Sequence, residues 1–276
     1  MQITKEQVKA WHACTDGFRW FLDKFPQGGA YADVHGALIA DKRFDDARWL
    51  VDKMYRTHLD KAEFIQAETA ATDKMIGELT SMEHPSAQVE GENSSGDYAR
   101  IGSSGYNARI GSSGDYAQIG SSGDYARIGS SGDYARIGSS GYNARIGSSG
   151  DYAQIGSSGY NARIGSSGYN AQIGSSGYNA RIGSSGYNAQ IGSSGYNARI
   201  GSSGDYARIT ASGKGSVVAC AGSIERIVLG EGGCASVPWH DGKRTRIAVA
   251  YVGENGIEAN TPYYVNDEGQ FVKVEE

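Results

Sequence analysis

Six arginines of this 276-residue chain, Arg109, Arg127, Arg145, Arg163, Arg181 and Arg199, stand eighteen residues apart. Guanidinium groups present rigid forks of donors to carboxylates or phosphates, so a regular file of them is suited to gripping an anionic partner. Tyr106, Tyr142, Tyr160, Tyr178 and Tyr196 each precede one of these arginines by three residues. Arg interleaved with aromatic rings can hold phosphates and stack on bases, and it can equally grip an acidic protein surface. The other chemistry-bearing residues are less organised. His12, Cys14, His35 and His58 lie close together in the chain, but no pair has the spacing of a metal-ligand motif. Trp239-His240-Asp241 has no companion nucleophile motif and reads as a turn preceded by a packed Trp. No catalytic residue, metal or cofactor is expected, and the chain is read as non-enzymatic.

The arginines belong to an array from Gly96 to Ser212, thirteen gapless copies of Gly-[Asp/Tyr]-[Tyr/Asn]-Ala-[Arg/Gln]-Ile-Gly-Ser-Ser, the last ending Ile209-Thr210-Ala211-Ser212. Fixed-period self-similarity is the mark of a solenoid. The copies sort by twos. Every even copy carries Arg at its fifth position, whereas Gln118, Gln154, Gln172 and Gln190 all fall in odd copies, beside Arg100, Arg136 and Arg208. Even copies mostly read Gly-Tyr-Asn and odd copies mostly Gly-Asp-Tyr. This parity predicts a coil of eighteen residues with two different faces. Alternation along a strand points Ala and Ile inward and Arg or Gln outward, and Gly-Ser-Ser-Gly supplies the turn, with Gly free to take positive φ. The charge is split: even copies hold six Arg against Asp124 alone, and odd copies three Arg against Asp97, Asp115, Asp133, Asp151 and Asp205. Such regularity excludes a flexible Gly/Ser linker, and the absence of Gly at every third residue excludes collagen.

The predicted fold class is mainly β: a two-sided parallel β-solenoid with a small N-terminal α-helical domain and a C-terminal β cap. Residues 1–85 form the helical domain. Thr4 and Gln7 form a capping-box signature opening a helix over about 5–24, Tyr31 to Ala40 a second, and Phe44, Trp49, Leu50 and Met54 mark a third, with the pattern persisting through Phe64, Ile65, Met75 and Leu79. This domain is expected to cap the first coil or to dock a partner, and oligomers could form through it. Residues 86–95 link it to the first coil, 96–212 are the solenoid, and 213–276 hold a degenerate coil and a β cap with an antiparallel turn at Glu254-Asn255-Gly256. A net charge of −5 gives no global bias toward nucleic acid, the sequence holds no membrane-spanning apolar run, and no Sec-type leader is expected. The three cysteines are too few and too unevenly placed for a disulfide framework. A cytoplasmic, host-cell location without membrane contact is expected.

The Gly-Asp-Tyr-Ala and Gly-Tyr-Asn-Ala units, followed by Val-Pro-Trp-His-Asp-Gly and Arg-Ile-Ala-Val-Ala-Tyr-Val-Gly-Glu-Asn-Gly-Ile, resemble the Ala/Ser/Gly-rich nonapeptide-repeat β-solenoid proteins of tailed phages and prophages. The resemblance covers about two-thirds of the chain and implies a phage-type origin and a role without catalysis. Similarity to calcium-binding RTX nonapeptides is weaker, because Asp is displaced by one position and absent from most copies, so no calcium is expected.

The expected function is a binding scaffold presenting Arg, Tyr and Asn ladders to an intracellular host protein or nucleic acid, as a phage inhibitor of a host defence system. The alternative is a structural spacer or fibre component of a virion or surface assembly. Ice binding ranks lower, since it favours a flat Thr-rich face. An enzyme ranks lowest, because repeats offer identical shallow surfaces instead of one concave pocket.

Overall fold

The computed structural model describes residues 1–81 and 92–275. The expected run-in at 86–95 therefore lies partly outside the described residues; its last part, Glu92–Ser94, is already a strand paired with Ile110–Ser112.

Each nonapeptide contributes one four-residue strand, Arg/Gln-Ile-Gly-Ser, from Arg100–Ser103 through Arg199–Ser202, and the last copy gives Ala207–Ala211. Strands pair in parallel with the copy eighteen residues away, Arg109 opposite Arg127 and Gln154 opposite Gln172, so the coil length read from the Gln/Arg parity is the structural one. Odd copies supply seven strands of one ten-stranded sheet and even copies six of the other, about eight coils in all. Ile at the sixth position is buried on both sheets, from Ile101 at 5% exposed to Ile191 at 0%, and Ala from the fourth position fills the space between. The eighth-position serines also point inward. Ser121, Ser139, Ser175 and Ser193 are fully buried, and no partner lies within hydrogen-bonding distance of their hydroxyls. So small a residue lets the two sheets approach closely, at the cost of two desolvated hydroxyls per coil, such as Ser130 and Ser139.

The turns differ from expectation. Positive φ falls on the third position, at Asn107, Asn143 and Asn161 but also at Tyr98, Tyr116, Tyr134 and Tyr152, and not on the repeat glycines. Asn enters the left-handed region readily; a Tyr there is strained. Stacking offsets that strain, since Tyr116 lies 5.1 Å from Tyr98 and 4.9 Å from Tyr134. Glycine at the first position is required for a different reason: a Cβ on Gly132 would sit 2.0 Å from the carbonyl oxygen of Gly114 in the coil below. The Asp ladder is held by backbone. The Asp97 carboxylate accepts the Asp115 N–H at 3.0 Å and Asp115 that of Asp133 at 2.9 Å, so each stacked charge has a donor.

At the C-terminal end both sheets continue beyond the repeat. Val217–Cys220 and Cys234–His240 extend the even sheet in parallel, and Ile224–Leu229 the odd one. Antiparallel strands then close each edge, Thr245–Tyr251 on Cys234–His240 and Pro262–Val265 on Ile224–Leu229. The hairpin of Thr245–Tyr251 thus turns before it, at Asp241–Arg244, and not at Glu254-Asn255-Gly256. The Asp241 carboxylate accepts the backbone N–H groups of Lys243 and Arg244, both at 2.8 Å, which holds its pKa down to about 2. Trp239 packs against Gly269 as the turn-and-Trp reading expected. Cys14, Cys220 and Cys234 are free thiols, and burial pushes Cys220 up to about 12.

The helical domain comprises α1 (Lys5–Ala10), α2 (Thr15–Lys24), α3 (Tyr31–Ala40), α4 (Phe44–His58) and α5 (Ala62–Thr80). The capping box at Thr4 and Gln7 forms, but the helix expected over 5–24 is two, broken where His12 adopts φ 58°. The domain does not cap the first coil. Instead α5 lies lengthwise against the odd sheet, touching every strand from Arg100–Ser103 to Gln190–Ser193. Its sequence suits that path: Ile65, Thr69, Thr72, Ile76 and Leu79 recur at steps of four and three and form one stripe. Thr69 and Thr72 can be buried in it because their hydroxyls donate to carbonyls four residues back, Ile65 at 3.1 Å and Glu68 at 3.0 Å.

Candidate functional site

Every strand of the array but the last, which has Thr210 at position seven, places two residues on the outside, Arg or Gln at position five and Gly at position seven, so each sheet carries a glycine furrow beside a file of polar side chains. On the odd sheet the furrow is filled. A Cβ on Gly138 would meet Thr72 Cγ2 at 2.4 Å, one on Gly156 Thr72 Oγ1 at 2.5 Å, and one on Gly192 Ile65 Cγ1 at 2.9 Å. On the even sheet the same residue is open, with nothing within 4 Å of a Cβ on Gly129, Gly147, Gly165 or Gly183.

This difference explains the Gln parity. Gln172 and Gln190, beside α5, are 5% and 3% exposed, and a neutral amide is cheaper to bury than a guanidinium. Of the three arginines in the odd copies, Arg100 at the first coil stays exposed and Arg208 pairs with Glu225, so Arg136 is the informative exception. It faces a buried cluster in which the Tyr31 hydroxyl donates to Glu68, itself 7% exposed. Burial raises the Glu68 pKa, while Tyr31 and Arg136 draw it down; burial holds His35 well below its usual range, and Arg136 adds to that. The cluster could suggest acid–base chemistry, yet it is sealed between helix and sheet with about 10 Å³ beside it, too little for a substrate.

All six arginines of the file, Arg109 to Arg199, are exposed and paired in register on the even sheet. Among the described residues none of them makes an ion pair. They stand as one wall of the open furrow, over Gly111, Gly129, Gly147 and Gly165. At the usual inter-strand spacing the file is about 24 Å long. The opposite wall is the exposed ninth-position serines Ser131, Ser149, Ser167, Ser185 and Ser203.

The tyrosines expected to flank the arginines on that face lie elsewhere. They sit in the turns, along the rod's edges, because the second and third positions precede the strand. Tyr142, Tyr160, Tyr178 and Tyr196 stack at 5.0–5.2 Å with planes within 8°, and remain 41–51% exposed. Tyr106 leaves this stack and meets Tyr125 at 59°, because Asp124 occupies the intervening second position. The other edge carries Tyr98, Tyr116, Tyr134 and Tyr152, which α4 partly covers through Phe44 and through Arg48, whose guanidinium lies 5.0 Å from the Tyr134 ring. The structure thus groups the arginines and separates the tyrosines from them. What sequence reasoning missed is the glycine furrow between Arg and Ser; the unbroken Gly-Ser-Ser was its signal.

A second concavity, of about 230 Å³, lies within the helical domain and is lined by Val8, Trp20, Phe21, Leu38, Trp49 and Leu50. His12 and Cys14 border it, but among the described residues no three His, Cys, Asp or Glu side chains gather to hold a metal. No described helix is long and apolar enough to cross a membrane.

Residues 1–59, the helical domain as far as the end of α4, match the YdhT N-terminal domain family. The chain is also similar to the uncharacterized protein YdhT of Escherichia coli strain K12, 40% identical over 102 residues, which is 37% of this chain and 36% of the relative. It therefore spans about a third of that relative's length. No solved structure matches.

Proposed function

We propose that the protein is a non-enzymatic binding scaffold whose working surface is the Arg file of the open sheet. One observation carries this reading: six guanidinium groups in register and exposed, without acidic partners among the described residues, on the sheet that the described helices leave open. A merely soluble rod would be served as well by mixed charges, and the covered sheet shows that the same position accepts Gln. The partner is anionic at the point of contact. The likeness to phage solenoids makes a host component inside the cell the natural target.

The test compares capture from bacterial lysate by the full-length chain and by an Arg127→Gln, Arg145→Gln, Arg163→Gln variant, both shown to be folded by circular dichroism. A stoichiometric partner held by the parent, released by moderate salt and lost in the variant is the expected result. Equal capture by both would move the site to the helical domain. Failure of the parent to capture anything would favour the spacer reading.

A further inference from the structure

We infer that the open furrow is a seat for one amphipathic α-helix of a partner protein, acidic along the flank that faces the Arg file. This rests on the scaffold reading and names the occupant.

The covered sheet displays the recognition. There the Gly furrow receives α5 through a stripe of Ile65, Thr69, Thr72, Ile76 and Leu79, and the stripe stays in step with the glycines from Gly192 to Gly102. The match is geometric: one helical turn rises about 5.4 Å and one coil about 4.8 Å, so successive turns of a helix laid along the rod meet successive glycines. Beside the stripe, carboxylates on the helices meet the two polar files. Asp73 accepts from the ninth-position Ser158 at 2.8 Å, Glu68 faces the fifth-position Arg136, and Asp52 accepts from Gln190 at 3.5 Å.

The open sheet repeats each of these parts. Its glycines are vacant at Gly129, Gly147, Gly165 and Gly183, its serines are exposed, and its fifth position is Arg throughout the array. Covering that Arg file without carboxylates would bury unpaired charge, so an apolar helix is rejected and an acidic one accepted. Extended polyanions fit less well. A phosphate backbone offers no apolar stripe to fill the vacant glycines, and the tyrosines that could stack on bases lie on the edges. The occupant is thus about twenty residues long, with small or β-branched residues at alternating steps of three and four and carboxylates on one side of that stripe.

The chain's own α5 supplies the frame of the probe: in residues 62–80 Glu68 lies on the flank that meets the Arg side, and Ala71→Glu with Met75→Glu extend that acidic flank along the helix. A fluorescein-labelled peptide of that sequence, hydrocarbon-stapled on the side away from Ile65, Thr72 and Ile76, is titrated with the full-length protein and followed by anisotropy. Saturable binding is expected, weakened at least tenfold by the Arg127, Arg145, Arg163 triple change to Gln. Gly147→Val with Gly165→Val fills the furrow and should weaken binding as much, with the melting temperature of the protein unchanged. A peptide with its acids replaced by Lys should not bind. Binding no better than that of the Lys peptide, or binding that the Val variant leaves intact, overturns the helix seat. A twenty-residue oligo-dT that binds the Val variant and the parent equally, and competes with the peptide, also overturns it in favour of nucleic acid. If the Arg variant loses its captured cellular partner while the Val variant keeps it, the helix seat falls and the scaffold reading stands.

Discussion

The two sheets of the solenoid are built from one nonapeptide and meet opposite fates. The odd sheet lies under α5, its seventh-position glycines buried and its fifth position tolerant of Gln; the even sheet keeps the same glycines half-buried or exposed beside an unbroken file of Arg. A repeat therefore does not dictate whether its surface becomes interior. That is decided by which copies a non-repetitive element can reach, and the array records the decision at a single side chain per copy.

The sharpest break of this comparison is a deletion that exchanges the faces. Removing residues 141–149 moves every later copy to the opposite sheet, so Arg163, Arg181 and Arg199 would pass beneath α5 and the Gln copies outside. With several kcal/mol for each guanidinium forced into the interface, no cooperatively folded monomer is expected by circular dichroism and size-exclusion chromatography. Removing residues 141–158 preserves the faces and should leave a folded protein with a lowered melting temperature. Equal damage from both deletions would show that parity is not what the interface reads.

Next in size is one substitution made on each face. Gly156→Val places a Cβ within 2.5 Å of Thr72 Oγ1 and should cost about 3 kcal/mol or more in urea denaturation, by prising α5 from the sheet. Gly165→Val meets open space on the other side and should change stability by less than about 1 kcal/mol, since β-branched residues suit a strand.

The solenoid, its coil length and the inward Ile ladders were legible because they are written many times over, and the Gln parity was legible as a fact about two faces. Its cause was not, because α5 meets the array through contacts separated by up to a hundred residues and more, and nothing local in Ile65 to Leu79 says what the stripe will cover. The helix expected over 5–24 concealed a break at His12, whose positive φ no neighbouring Gly announces. The turn was misassigned for a related reason: glycine was taken as the left-handed residue, whereas the first-position Gly is needed for clearance from the coil below and Asn or Tyr carries the positive φ. Of the site, the Arg file was readable from spacing alone. The furrow was not, since Gly in a turn-rich repeat has many uses.

A smaller effect distinguishes the faces by pH. Burial raises Glu68 and Asp73, both on α5 against the covered sheet, above the ordinary carboxylate range. Such an acid keeps its proton in the folded state after the unfolded chain has released it, so stability falls as pH climbs from the unfolded value through the folded one. Glu68→Gln with Asp73→Asn should flatten that decline when the denaturation midpoint is followed upward from pH 4. His35, held neutral by burial, acts on the same interface in the other direction: stability falls as pH drops below the ordinary imidazole range, and this limb should persist in the double variant. The smallest effect belongs to the open face, where Arg127→Gln, Arg145→Gln and Arg163→Gln should each shift stability by no more than about 0.5 kcal/mol.

In the array alone, copy number is free: another pair of nonapeptides would stack on the last as well as any before it. The helix removes that freedom. From Ile65 to Leu79 it spans about 21 Å, against roughly 24 Å for the five coil steps between Gly192 and Gly102, and just before its start Asp60 holds Arg226 at 3.7 Å, beyond the last repeat. An inserted pair would push Arg226 one coil beyond Asp60 and leave a glycine with no turn of helix above it; a lost pair would leave a turn of helix overhanging. A segment that is not repetitive thus counts the repeats, and the rod's length is inherited from the pitch of a helix lying beside it.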